Sequence, residues 1–242
     1  MIELLNINKS YNGKVKAVDN LTTTIPDGEI IGFLGPNGAG KTTTIKLLTG
    51  ILNADSGSIK INGTDIKEKP LEVKQQLGFV PDSPDMFLRL KGIEYLNFMA
   101  DMYDVSTAER KLRIDELTDK FEMTSALSNK IQSYSHGMRQ KIVIIGALIH
   151  DPLVWILDEP MTGLDPKSSF LLKETMREYA QKNRTVFFST HILEVAEKIC
   201  DRVAIINKGR LISFGTIEAL REQFKGDDSL EKMFLELTED SD

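Results

Sequence analysis

The residues with the clearest chemical potential lie in one run, Gly35-Pro36-Asn37-Gly38-Ala39-Gly40-Lys41-Thr42, which matches G-x-x-x-x-G-K-[ST] in full. Glycines at this spacing let backbone N–H groups turn inward around an anion. A helix starting at the end of the run adds its positive N-terminal end. Lys41 supplies a point charge suited to the β- and γ-phosphates of a nucleotide, and the Thr42 hydroxyl suits a magnesium ion. A second run, Leu153-Val154-Trp155-Ile156-Leu157, ends directly in Asp158-Glu159. An apolar strand that ends in two acids places carboxylates at the edge of a sheet where α/β proteins bind ligands. Asp158 is then placed to hold Mg²⁺ through water, and Glu159 to polarise an attacking water as general base.

These groups need elements to hold them, and the chain provides alternating signals. Ile2 to Ile7 reads as a half-alternating strand, and Ile30-Ile31-Gly32-Phe33-Leu34 as a buried central strand. Lys41 to Leu52 carries Ile45, Leu48 and Ile51 at helical spacing. Ser58 to Ile66 reads as a hairpin around Asn62-Gly63. From Pro84 to about His150 the pattern turns helical. Ile93, Leu96, Met99 and Met102 are spaced three apart, which makes both methionines expected core filler. Ser106 with Glu109 forms a capping box ahead of a helix carrying Leu112, Leu117 and Phe121. After that, strands at 153–157, 185–189 and 202–206 alternate with helices at 166–182 and 192–199, the pattern of a parallel sheet covered on both faces. The run 229–237 reads as a closing helix packed on the core, with Leu230, Phe234 and Leu237 on one face.

Composition narrows the classes. The 242 residues suffice for one substantial core. Thirty Lys+Arg against 36 Asp+Glu give a formal charge of −6, which disfavours non-specific binding to nucleic acid. The one cysteine, Cys200, excludes an internal disulfide and is expected to be a small buried hydrophobe. The longest apolar run, 142–149, is far short of a membrane span. The N-terminus lacks the basic and apolar regions of a signal peptide.

Taken with these motifs, five further segments, the run 229–237 among them, resemble the nucleotide-binding subunit of ATP-binding cassette (ABC) transporters. Ser135-His136-Gly137-Met138-Arg139-Gln140 is similar to the family's signature loop, with His136 in place of a glycine and Met138 in place of glutamine, a form familiar among exporter-type members. Ser135 is also a good helix N-cap. The resemblance implies that Ser135, His136, Gly137 and Met138 act on a nucleotide held by a second chain. It implies that His191 contacts the γ-phosphate and attacking water, that Asp165 lies where two subunits touch, and that Tyr11 stacks on adenine. The expected nucleotide-binding set is thus Tyr11, the loop 35–42 and Thr43, with Glu159 and His191 catalytic. One position departs: after Gly78-Phe79-Val80-Pro81 the family usually has glutamine near the metal, and here the residue is Asp82, an acid that cannot donate an amide hydrogen bond.

The expected fold is α/β: a P-loop NTPase core with a mainly parallel sheet, an N-terminal antiparallel β part and an inserted helical subdomain. The core is placed at 1–82 and 151–225, the insert at 83–150, and a C-terminal helix with an acidic tail at 226–242. The resemblance implies an ATPase using ATP and Mg²⁺ that powers transport, with export favoured, through a separately encoded transmembrane permease. It would sit on the cytoplasmic face of the membrane as a homodimer or with a paralogous ATPase subunit. A soluble ABC ATPase of translation, repair or regulation is the competing expectation.

Overall fold

A computed structural model describes residues 1–13, 15–223 and 234. Ten strands and eight α-helices occur among them. An antiparallel sheet has the order β2-β1-β4-β5, from β1 (Ile2–Tyr11), β2 (Val15–Ile25), β4 (Ser56–Ile61) and β5 (Thr64–Asp65). A second sheet has the order β10-β9-β3-β8-β7-β6. Its strands are β3 (Ile30–Leu34), β6 (Leu77–Val80), β7 (Val154–Leu157), β8 (Thr185–Thr190), β9 (Arg202–Asn207) and β10 (Arg210–Gly215). All its pairings are parallel except that of β10 with β9. Helices α1 (Lys41–Leu48), α2 (Pro70–Gln75), α3 (Gly92–Met102), α4 (Thr107–Lys120), α5 (His136–Leu148), α6 (Pro166–Gln181), α7 (Leu193–Ile199) and α8 (Ile217–Gln223) complete the described fold.

The parallel sheet is buried on both faces, so its strands read as continuous apolar runs. Trp155, Leu157, Val186, Phe188 and Ile30 point into one core with Ile142, Ile145, Leu96 and Leu172 from the helices. Ile31, Phe33, Ile156 and Phe187 point into another, shared with α1 and with Ile2, Leu4 and Ile7 of the antiparallel sheet. The helical stretch packs into the first of these cores through α3 and α5.

Several elements differ from the sequence reading. The helix after the glycine-rich loop stops at Leu48, where Thr49 caps it and Gly50 turns at φ 64°, so Ile51 is left 55% exposed. Leu112 and Met102 are also exposed, at 69% and 62%. The buried positions of α4 are Ile114 and Thr118, while Met99 does pack on the core. Strands β2, β6 and β10 were not legible. β6 is only four residues long, and β2 contains Asp19, Asn20 and a run of threonines. The hairpin at Asn62-Gly63 forms with φ of 49° and 80° at the two turn residues, the left-handed pair a type I′ turn requires. Cys200 is partly buried against Gly32, and burial pushes its thiol well above the usual range. The expected C-terminal helix lies outside the described residues apart from Phe234, which packs beside Leu34, Ile205 and Leu220.

Candidate nucleotide site

Register brings the chemistry together. Val80 of β6 pairs with Leu157 of β7, Leu157 with Phe188 of β8, and Leu34 of β3 with Thr190. Four parallel strands therefore finish at one edge, and the next residues are Pro81-Asp82, Asp158-Glu159, Gly35 onward and His191. This is the carboxyl edge of an open α/β sheet, where ligands bind.

The glycine-rich loop wraps into α1. Gly40 caps that helix at φ 108°, and a Cβ there would collide with the Ala17 carbonyl oxygen, so only glycine fits. The Lys41 ammonium donates to the carbonyl oxygens of Gly35 at 2.7 Å and Pro36 at 3.3 Å and lies 3.6 Å from Glu159 Oε1. With 7% exposure it is a buried cation held inside its own loop. Around it opens a cleft of about 630 Å³ lined by Tyr11, Asn37, Gly38, Lys41, Thr42, Thr43, Asp82, Glu159 and Lys208, among others. Tyr11 stands at the mouth, 42% exposed, its hydroxyl 3.5 Å from that of Thr43.

Asp158 is buried, at 2% exposure. Burial pushes its carboxyl above the ordinary range, while hydrogen bonds from Ser189 and Thr42 oppose that and the charges of Asp82 and Glu159 add to it. The Ser189 hydroxyl donates to Asp158 Oδ1 at 2.5 Å and accepts the Glu159 N–H at 2.9 Å. Glu159 itself sits at φ 46°, a left-handed conformation that costs a non-glycine residue of order 1 kcal/mol. Its Oε2 lies 3.0 Å from His191 Nδ1. A carboxylate only accepts, so Nδ1 carries the proton and Nε2 of a neutral ring is left as an acceptor.

Among the described residues no three His, Cys, Asp or Glu side chains converge tightly enough to cage a metal. The Thr42 hydroxyl beside the buried Asp158 carboxylate, with Asp82 nearby, fits magnesium instead. That ion takes one or two carboxylates and completes its shell with water and phosphate oxygens.

Two groups of expected site residues lie apart from this cleft. Ser135 N-caps α5, accepting the Met138 N–H at 3.3 Å. The ring of His136 packs on Gly163, and Gly137 also faces the Gly163 carbonyl. Asp165 N-caps α6 by accepting the Ser168 N–H at 3.0 Å. The loops carrying Ser135 and Asp165 thus touch each other, but within one chain they do not line the cleft. Ser189 is the functional position that the sequence reading passed over. Its signal was its place in β8, two residues before His191 and beside β7.

Known proteins resemble this chain over most of its length. The family model described as "ABC transporter" matches residues 18–162. The ABC transporter ATP-binding protein NatA of Bacillus subtilis is 36% identical over 232 residues, covering 94% of each chain. The linearmycin resistance ATP-binding protein LnrL of the same organism is 37% identical, covering 94% of this chain and 73% of its own length. A solved structure of an ATP binding subunit of an ABC transporter superimposes with a TM-score of 0.93 at 34% identity, over 98% of this chain and 99% of that one. None of the helices described is long and apolar enough to cross a membrane. This chain belongs to the ABC transporter family, as an ATP-binding subunit that hydrolyses ATP.

Proposed function

We propose that the chain powers export through a separately encoded membrane permease, working as an ATP-closed dimer on the cytoplasmic face of the membrane. The observation that carries the chemistry is the convergence of Lys41, Thr42, Asp158, Glu159 and His191 at one sheet edge, with Glu159 and His191 3.0 Å apart. Adenine stacks on Tyr11, and the triphosphate runs along the loop 35–42 and Thr43. The Lys41 ammonium, already fixed by two carbonyls, meets the β- and γ-phosphates. Thr42 and Asp158, with Asp82, hold magnesium, which neutralises phosphate charge when bound. Glu159 accepts a proton from water as the water oxygen bonds to the γ-phosphorus. The bond from that phosphorus to the β,γ-bridging oxygen breaks, giving ADP and phosphate. His191 holds the Glu159 carboxylate in line through its Nδ1–H.

Ser135 and Gly137 lie outside the cleft of their own chain, which is what a group serving a second chain's nucleotide requires. His136 and Met138 flank them, and Asp165 sits on the loop beside them. ATP then joins two subunits, and loss of the γ-phosphate removes contacts made only in the closed state. Export is favoured by the Ser-His-Gly-Met form of the signature loop and by relatives named for linearmycin resistance and Nod factor export.

The test is the Glu159→Gln chain with ATP and Mg²⁺. It should bind ATP, run as a dimer by light scattering, hydrolyse at least about 100-fold more slowly, and retrieve a polytopic membrane protein from detergent-solubilised membranes. Normal hydrolysis would remove Glu159 as the base. Retrieval of ribosomes or DNA in place of a membrane protein would overturn the transport reading.

A further inference from the structure

Arg139 lies on the first turn of α5, four residues after Ser135, and its two amino groups hold two different segments. Nη1 donates to Asp85 Oδ1 at 2.6 Å, and Nη2 donates to the Gln132 carbonyl at 2.9 Å. Asp85 is three residues beyond Asp82, which lines the nucleotide cleft. Gln132 lies in the short 3-10 turn, residues 131–133, that leads into the signature loop.

The two segments are also paired through their backbones. The Gln132 N–H donates to the Leu88 carbonyl at 3.0 Å, the Ile131 N–H to the Leu90 carbonyl at 2.9 Å, and Lys91 bridges to Lys130. The strip 85–91 that follows Asp82 therefore carries the lead-in to Ser135, and Arg139 closes the frame by tying the strip to the helix that Ser135 caps. A planar guanidinium holds its two acceptors in a fixed mutual geometry, which a lysine ammonium would not do. The pair is partly shielded, with side-chain exposures of 23% for Arg139 and 53% for Asp85.

We infer that Arg139 is a positioning residue that passes the state of the Asp82 loop, through Asp85, to the signature loop of the same chain. ATP in a chain's own cleft then sets how that chain presents Ser135 and Gly137 outward. This rests on the dimer reading above for its use in catalysis, but the intrachain link is measurable alone.

The experiment is backbone hydrogen exchange over residues 133–139 in the full Glu159→Gln chain, with and without ATP and Mg²⁺. It is repeated with Asp85→Asn, with each single reversal (Asp85→Arg, Arg139→Asp) and with the double reversal. Asp85→Asn keeps the side chain's size and removes only its charge, which preserves folding on a half-exposed loop. In the parent, ATP should slow exchange of these amides. The three single variants should each lose about tenfold of that slowing, and the double reversal should regain most of it. Single variants that respond as the parent does, a double reversal no better than the worse single, or a parent whose 133–139 amides ignore ATP would each overturn the inference. Light scattering on the same samples reads dimerisation separately. A parent that stays monomeric refutes the closed dimer, while the exchange comparison still decides the Arg139 link.

Discussion

Glu159 Oε2 and His191 Nδ1 meet at 3.0 Å across the ends of two adjacent parallel strands, 32 residues apart in sequence. In the proposed mechanism one of these side chains takes the proton and the other aims it. His191→Ala should lower kcat by about 10²–10³-fold. Because the two act as a unit, His191→Ala combined with Glu159→Gln should be no slower than Glu159→Gln alone. Steady-state phosphate release measures both, and multiplicative losses would show that the two act independently.

Ser189 serves both acids at once, donating to Asp158 and accepting from the Glu159 N–H. Ser189→Ala leaves a buried carboxylate and a backbone donor each one partner short. A cost of about 2–3 kcal/mol is expected, since one of the lost bonds is to a charged group. For a chain of this size that is a fall in Tm of roughly 4–12 °C, read by calorimetry without nucleotide. An unchanged Tm would mean that water replaces the hydroxyl.

Gly163 stands at φ 75°, and a Cβ there would run into the ring of His136. Gly163→Ala should destabilise by about 1–2 kcal/mol from the left-handed backbone alone, and by more from the clash. Adding His136→Gly should return the steric part and leave the backbone part. Urea unfolding of the two variants separates them, and equal midpoints would show that the ring moves aside freely.

His150 stacks on Tyr103 with ring centroids 3.6 Å apart and planes 8° from parallel. Its Nε2 lies 3.0 Å from the Leu77 carbonyl oxygen, while Nδ1 is buried without a partner. Burial, aided by Arg113 and opposed by the Leu77 carbonyl and Asp151, pulls its pKa down to about 4. The unfolded chain, with an ordinary value of about 6.5, takes up this proton first. Stability therefore falls as pH drops from about 6.5 towards 4 and is regained as pH rises through the same window. His150→Phe keeps a ring on Tyr103 and removes the proton. Its stability should fall less steeply there, by up to about 1.4 kcal/mol per pH unit. Parallel curves of unfolding free energy against pH would show that His150 already titrates normally when folded.

Much of the site was legible because its signals are local. The spacing of Gly35, Gly40, Lys41 and Thr42 needs only one turn and one helix start, and Asp158-Glu159 needs only the strand before it. The resemblance supplied His191, Tyr11 and the signature loop, whose Ser135 does cap a helix as its residue type implied. The antiparallel part was expected, yet its strand β2 stayed hidden, since Asp19, Asn20 and three threonines blur any alternation. Periodicity placed Met102 in the core, but the packing of α3 turns it outward.

The sequence by itself therefore determined that a glycine-rich turn opens a helix and where acids follow a strand, because both depend on neighbours a few residues away. The tertiary structure alone decided that Ser189 bridges the two acids, that Glu159 meets His191, and that Arg139 reaches Asp85 across 54 positions. Those contacts arise from strand register and helix packing between distant segments, and no local pattern of residue types encodes a distance of that kind.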